Sequence, residues 1–215
     1  ALARFAEAQR LPVATAWKAQ DVFDNNSPLY AGHLGFGVPP KFKAVLAEAD
    51  LIIAVGTRLG DVASLNYTFP LAPLPAQRLV HIYPDSRPVG RVFLTDLGII
   101  ADPAPLLEAL AGQPRVVSSA REGWISTLCG FVREFMQFTS GEPADGVDFG
   151  KVIMSLARQA PGDAVIVTDA GNISTWVHRH WKMTPDNMLI GAVAGAMGIG
   201  VPAATAASLV APSRM

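Results

Sequence analysis

The sequence predicts an α/β fold built on parallel strands, with a second α/β domain opening before the chain ends. Three observations carry that expectation. Continuous apolar runs such as residues 51–55 (LIIAV) and 164–168 (AVIVT) suit strands covered on both faces. Turns and helical patterns alternate with those runs, as in a parallel sheet. Half of the 215 residues are hydrophobic and only 16% are charged, so a sizeable core can be buried.

The elements follow in order. Residues 1–10 read as a short helix with Leu2, Phe5, Ala6 and Gln9 along one side. LPVATA is a short buried strand, and residues 17–28 are polar and irregular. A glycine loop, Gly32-His33-Leu34-Gly35-Phe36-Gly37, precedes Pro39-Pro40, which opens a helix through residue 49 with Phe42, Val45, Leu46 and Ala49 at helical spacing. Residues 51–55 form a strand that leaves through Gly56-Thr57-Arg58-Leu59-Gly60. A second strand spans 78–82 before the turn Tyr83-Pro84-Asp85-Ser86, and a third spans 97–101. Asp102-Pro103 then supplies a cap and first helical position for a helix over 104–111.

A parallel Rossmann-like sheet thus accounts for residues 1–112, the middle domain. Residues 113–147 form a linker with one helix, 121–138, whose apolar face is Trp124, Leu128, Phe131, Phe135 and Phe138. Asp148 caps the next helix, whose inner face is Val152, Ile153, Leu156 and Ala160. The strand of 164–169, the helix of 173–181 and the strand of 188–190 begin a second α/β domain over 148–215, truncated after about two strands. The start at Ala1 without methionine and the stop at Met215 suggest a piece of something longer.

Composition excludes some functions. Seventeen basic and 18 acidic residues give a formal net charge of -1, which argues against a nucleic-acid binder. A single cysteine, Cys129, excludes an intramolecular disulfide and suits the cytoplasm; on an apolar helix face it reads as packing. His178 and His180, two apart on a helix, point away from each other, and His33 and His81 are isolated. No H-x-x-x-H or C-x-x-C pattern, nucleophile elbow or Walker loop is present, so no metal site is expected in this chain.

Three stretches remain as candidates. The glycine loop has G-x-x-G-x-G spacing rather than a dinucleotide fingerprint, and no strand directly precedes it. The Gly56–Gly60 loop lies at a strand's carboxyl end, where open α/β sheets bind ligands. Asp169-Ala170-Gly171-Asn172 sits between a strand and a helix, where backbone N–H groups and the helix dipole favour a phosphate; the plainer alternative makes Asn172 a helix cap. The longest apolar run, residues 188–211, has 24 residues without a charge, long enough to cross a bilayer. Gly198, Gly200 and Pro202 interrupt it, and a strand, a glycine turn and a helix starting near Pro202 explain the same residues without a membrane.

Gly195-Ala196-Met197-Gly198-Ile199-Gly200-Val201-Pro202-Ala203-Ala204, preceded by VTDAGN and Trp176, resembles the cofactor domain of thiamine-diphosphate enzymes, closest to acetolactate synthases and 2-oxo acid decarboxylases. Residues 1–112, with GHLGFG, AVGTRL and VHIYPD in order, resemble that family's middle domain. The resemblance implies that Met197 wedges between the two cofactor rings and enforces a bent shape. It implies that the Gly195 carbonyl accepts a hydrogen bond from the aminopyrimidine, with Ala196 between them. The stretch Ala170, Gly171, Asn172 and Ile173 would line the diphosphate; acetolactate synthases carry histidine where this chain has Ile173. The residue types suit those tasks, since glycine permits close backbone approach and methionine is a polarisable filler.

The resemblance further implies thiamine diphosphate and Mg²⁺ in a longer parent, a small 2-oxo acid substrate, and a homodimer or homotetramer with sites shared between subunits. FAD or an adenine nucleotide binds the middle domain of some members. The metal motif, Gly-Asp-Gly followed by a later Asn, and the pyrimidine domain with its glutamate are absent from this sequence. No catalytic residue is therefore expected within the chain, and alone it is expected to be inactive. The competing readings are a stand-alone FAD- or ADP-binding module using the Gly56 loop, and a membrane-anchored protein.

Overall fold

The computed structural model describes residues 1–115, 118–139, 141 and 146–214. Parts of both predicted breaks around the linker helix, residues 116–117, 140 and 142–145, lie outside the described residues. The fold is α/β with every strand pair parallel, as the alternating pattern predicts. The chain divides into two compact units, Ala1–Trp17 with Pro28–Val132, and Lys18–Ser27 with Arg133–Met215.

The first unit holds two sheets. Helix α1 (Leu2–Gln9) ends at Arg10 in the left-handed conformation and packs against α3 (Pro103–Ala111). Strand β1 (Val13–Ala16) pairs with β2 (Tyr30–Leu34), with an irregular register between Val13 and Thr15. The first three residues of the glycine stretch, Gly32–Leu34, therefore belong to a strand themselves. Only Tyr30 and Ala31 precede Gly32, which takes φ +74°, so the strand lacks the run of apolar residues that would announce it. Gly35 is required by space, because a Cβ there would lie 2.8 Å from the Trp17 side chain.

The second sheet has the order β3 (Leu51–Val55), β4 (Arg78–Tyr83), β5 (Leu97–Ile100). Its core is Ala54, Leu59, Leu79 and Phe93. Central β4 buries Leu79 and Ile82 completely. The run 51–55 is not covered on both faces, because β3 is an edge strand and only its Ala54 is buried. Helix α2 (Pro40–Leu46) stops at Ala47, short of the expected 49, and buries Phe42 and Leu46. Asp102 caps α3 by accepting from the Ala104 N–H at 3.0 Å.

Helix α4 (Ser119–Met136) carries the division between the units in its last turn. Its buried face is Ile125, Leu128, Cys129, Val132 and Met136, displaced by about one residue from the expected aromatic stripe. The aromatics lie on the flank instead: Phe131 stacks on Phe42 at 6.0 Å, and the Trp124 indole N–H donates to the Val45 carbonyl at 2.8 Å. Rings with a polar handle or a large width favour such margins, while compact side chains fill the tight centre.

In the second unit, α5 (Phe149–Gln159) is capped by Asp148, which accepts from the Lys151 N–H at 3.2 Å. Its buried residues are Gly150 and Ile153; Leu156, expected on the inner face, is 51% exposed. Strand β6 (Val165–Thr168) pairs with β7 (Met188–Gly191) in continuous register, Val165 with Met188 through Thr168 with Gly191. Ile153, Ala164, Ile166, Val177, Met183 and Leu189 form the core around them. Helix α6 (Ile173–His180) links the strands, and α7 (Gly200–Val210) follows β7.

Residues 18–27 join this second unit through buried polar contacts. The Gln20 amide donates to Asn25 Oδ1 at 2.8 Å and to the His178 carbonyl at 3.0 Å, while its Oε1 accepts from His178 Nδ1. Asn25 exchanges backbone bonds with Met183, accepting from its N–H and donating to its carbonyl. Asp21 accepts from the Leu189 N–H at 2.9 Å, and Lys18 donates to the Val193 carbonyl. The polar composition that marks 17–28 as irregular is thus a set of partners for backbone groups. His178 and His180 are both buried and do take separate environments, His180 between Phe138 and Trp176.

Gln20→Ala removes the buried bond to His178 Nδ1, the bond to the His178 carbonyl and one of the two donors to Asn25 Oδ1, so it is expected to cost about 1–3 kcal/mol. Urea unfolding checks this; a change under about 0.5 kcal/mol, usual for exposed sites, would count against the network.

Candidate functional site

The carboxyl ends of parallel strands are where an open α/β sheet leaves backbone free for a ligand. In the second unit those ends are Thr168 and Gly191, which are paired, so the segments leaving them start side by side. The first segment contains Asp169, Ala170, Gly171 and Asn172 and enters α6 at Ile173. The second contains Gly195, Ala196, Met197 and Gly198 and enters α7 at Gly200. All seven residues singled out from the sequence therefore lie on one edge of one small sheet.

Asp169 ties the two segments together. Its carboxylate accepts from the N–H of Ala170 at 2.7 Å, of Gly198 at 3.0 Å to both oxygens, and of Gly200 at 2.8 Å. These donors, Gly200 foremost and then Ala170, hold the carboxyl below its ordinary value. Gly200 lies so near that a Cβ would come within 3.0 Å of Asp169 Oδ2. In the sequence Asp169 has no task beyond its place in the turn of residues 169–172. An acidic residue at a strand exit, with a G-x-G opening a later helix, is the signal that finds it.

The two helix starts differ. At α7 the Asp169 carboxylate occupies the N-terminus, a favourable place for negative charge. At α6 no side chain caps the helix: Asn172 has helical dihedrals and makes no capping bond, so the plainer expectation for it is not met. Its carbonyl and that of Gly171 accept from the Thr175 and Ser174 hydroxyls at 2.6 and 2.7 Å. Gly171 takes φ +126° with no atom within 4 Å of a would-be Cβ. The α6 start therefore has no side-chain cap, and the space beside Gly171 is open; the first N–H groups of a helix have no partner within it.

The second segment is apolar and exposed. Gly195 and Gly198 take φ +71° and +97°, and the residues between them project outward, with Met197 85% exposed. Val193 and Val201 flank it at 81% and 80%, and no residue of α7 is buried. The small-residue helix α7 touches the unit through β6, and its first residue through Asp169. Among the described residues no helix is long and apolar enough to cross a membrane.

Gly56 takes φ +64° and donates to the Ile82 carbonyl at 3.0 Å; Thr57's carbonyl meets His81 Nε2 at 2.8 Å. The Gly56–Gly60 loop is therefore tied back into its sheet. Among the described residues no group of three or more His, Cys, Asp or Glu side chains could hold a metal ion.

Comparison with known proteins agrees with this arrangement. The family model for the thiamine pyrophosphate enzyme, central domain, matches residues 1–110, and that for the thiamine pyrophosphate enzyme, C-terminal TPP binding domain, matches residues 169–215. The acetolactate synthase large subunit of Parasynechococcus marenigrum is 28% identical over 216 residues, covering 99% of this chain and 34% of that protein. The acetolactate synthase isozyme 2 large subunit of Escherichia coli is also 28% identical, covering 99% of this chain and 37% of its own length. A putative thiamine pyrophosphate-containing protein of Bacillus subtilis is 27% identical, covering 99% and 36%. The chain spans about a third of the length of these curated relatives.

Two outcomes follow from the site geometry. Gly171→Ala and Gly198→Ala should each cost about 1–3 kcal/mol in urea unfolding through backbone strain alone, since the space around both is open. The lowered Asp169 pKa places its stabilising contribution above the usual carboxylate range, to be lost only as the pH falls through the lowered value. The Gly198 and Gly200 amide shifts in an acid NMR titration should accordingly inflect below the ordinary aspartate range; an inflection within or above that range contradicts the clamp.

Proposed function

Since this chain belongs to the thiamine pyrophosphate enzyme family, we propose that it supplies part of a thiamine-diphosphate site in an enzyme that acts on a 2-oxo acid. The observation that carries the reading is the juxtaposition of an uncapped helix start with an exposed, glycine-bounded apolar turn at one sheet edge. When bound, the cofactor supplies an electron sink for making or breaking the bond next to the substrate carbonyl.

The residues present fit such a ligand. Its anionic end suits the N–H groups of Gly171, Asn172 and Ile173, because the α7 start is already filled by Asp169. Gly171 admits backbone close to phosphate oxygens, having no side chain and open space around it. The apolar rings suit Met197, whose flexible thioether can fill an irregular gap and bend what lies against it. The Gly195 carbonyl is the acceptor assigned to the aminopyrimidine, and Ala196 keeps the turn between them narrow. No residue of this chain is assigned proton transfer.

On this reading the central domain extends to about Gly112, a linker with α4 follows, and the cofactor-binding domain begins near Asp148. The match to residues 1–110 and the cap at Asp148 support those limits. The resemblance to acetolactate synthases supports 2-oxo acids as the substrate class, and a cytoplasmic homodimer or homotetramer as the working form. Mg²⁺ would neutralise the diphosphate, with ligands drawn from outside the described residues.

Two expectations test the reading. The 215-residue chain alone should bind thiamine diphosphate weakly or not at all by calorimetry with Mg²⁺ present, because among the described residues no group of three or more His, Cys, Asp or Glu could hold the ion; submicromolar binding would overturn this. Met197→Ala should change stability by less than about 0.5 kcal/mol, since the side chain is exposed, yet weaken cofactor binding in the whole protein. Unchanged cofactor affinity would remove Met197 from the site.

A further inference from the structure

We propose that Asp169 is the positioning residue for the cofactor-facing turn: its carboxylate holds the Gly195–Gly200 backbone in the shape that presents Met197. The proposal rests on the thiamine-diphosphate reading and adds to it a residue with no ligand contact of its own.

Besides the Lys18 bond to the Val193 carbonyl, the turn has an anchor at each end. At one end, Thr168 pairs with Gly191 in the parallel ladder. At the other, the Gly198 and Gly200 N–H groups both meet Asp169, which is next to Thr168 in sequence but 31 residues from Gly200. Residues 192–199 are thereby closed into a loop whose two ends are fixed at adjacent residues, Thr168 at the end of β6 and Asp169 just beyond it. Remove the carboxylate and one end loses these hydrogen bonds, while the ladder at the other remains.

A carboxylate suits this position better than an amide. It presents two oxygens, and both are used: Oδ1 accepts from Ala170 and Gly198, and Oδ2 from Gly198 and Gly200. Asparagine would turn an NH₂ group toward one of these donors. Serine or threonine in place of Asp169 would offer a single oxygen and a shorter reach. The glycine at position 200 is matched to the carboxylate, since a Cβ would crowd Oδ2 at 3.0 Å. Gly198 at φ +97° directs its N–H back toward β6, a conformation that L side chains rarely adopt.

The contact lies in the exposed part of the site, and the turn buries no large side chain of its own: Val193 and Met197 both face outward. Apolar packing therefore does little to shape the turn, and the hydrogen bonds to Asp169 carry the geometry. This distinguishes positioning from general support of the fold, which rests on the core around Ile166 and Leu189.

The test uses the whole protein that carries this chain, with Asp169→Asn, Asp169→Ala, Met197→Ala and the Asp169→Asn/Met197→Ala double variant. Hydrogen exchange of the Gly198 and Gly200 amides should quicken by about tenfold or more in Asp169→Ala and less in Asp169→Asn. Exchange in β6 and β7 should stay unchanged. Thiamine-diphosphate affinity, read by calorimetry, should fall by about tenfold in Asp169→Asn while the melting temperature moves little. In the Met197→Ala background the same substitution should add almost nothing, because both act through one side chain. Wild-type exchange in Asp169→Ala, an affinity loss that tracks melting, or full additivity would each overturn the proposal. A wild-type protein that takes up no thiamine diphosphate would overturn the cofactor reading instead, and the exchange result would still decide whether Asp169 holds the turn.

Discussion

Parallel pairing is the constraint on which the rest of this structure depends. Two parallel strands cannot be joined by a tight turn, so every pair forces the chain through a crossover. For β6 and β7 that crossover is the stretch containing α6, and the chain leaves β7 into the turn before α7. Both exits then lie at the same edge of the sheet. The candidate site is a consequence of this topology: residues 170–173 and 195–197 are brought together by the register of four residue pairs.

Within that frame, polar groups take the part that apolar packing cannot. The segment 18–27 buries one large apolar side chain, Phe23, and with it the polar Gln20 and Asn25. They satisfy backbone and imidazole groups that would otherwise be stranded in a low-dielectric interior. Asp169 works in the same way at the surface, satisfying N–H groups of the turn and of the start of α7. Both cases depend on a side chain completing another segment's backbone, not on its own hydrophobicity.

The exposed apolar residues complete the account. Val193, Met197 and Val201 stand out from the second unit within nine residues, on a turn and a helix start with no charge. A contiguous apolar sequence that remains outside the core is a contact surface more often than a packing element. Its glycines set the direction of the turn, and its large side chains lie outside this unit's own core. The proposed thiamine-diphosphate ligand would suit that surface.

Much of this was legible in the residues themselves. The apolar runs at 51–55 and 165–168, the caps Asp102 and Asp148, and the glycine-rich turn at 195–200 are local signals, set by propensity, capping and φ, and each was found where the sequence put it. Strand β2 was hidden because two residues before a glycine make no periodic pattern, and the buried face of α4 was misread because its aromatics are more conspicuous than Ile125, Cys129 and Val132. The exposure of β3 was decided by its place at a sheet edge, which no strand's own residues encode. The same is true of Asp169: its residue type and its neighbours were in plain view, but its partners lie 29 and 31 residues away. Sequence by itself determined the secondary elements, the fold class and the residues that could meet a cofactor, because those follow from short-range chemistry. Only the tertiary structure decided which helix start stays open and which side chain holds the turn, because hydrogen bonds between distant segments form only once the strands have paired.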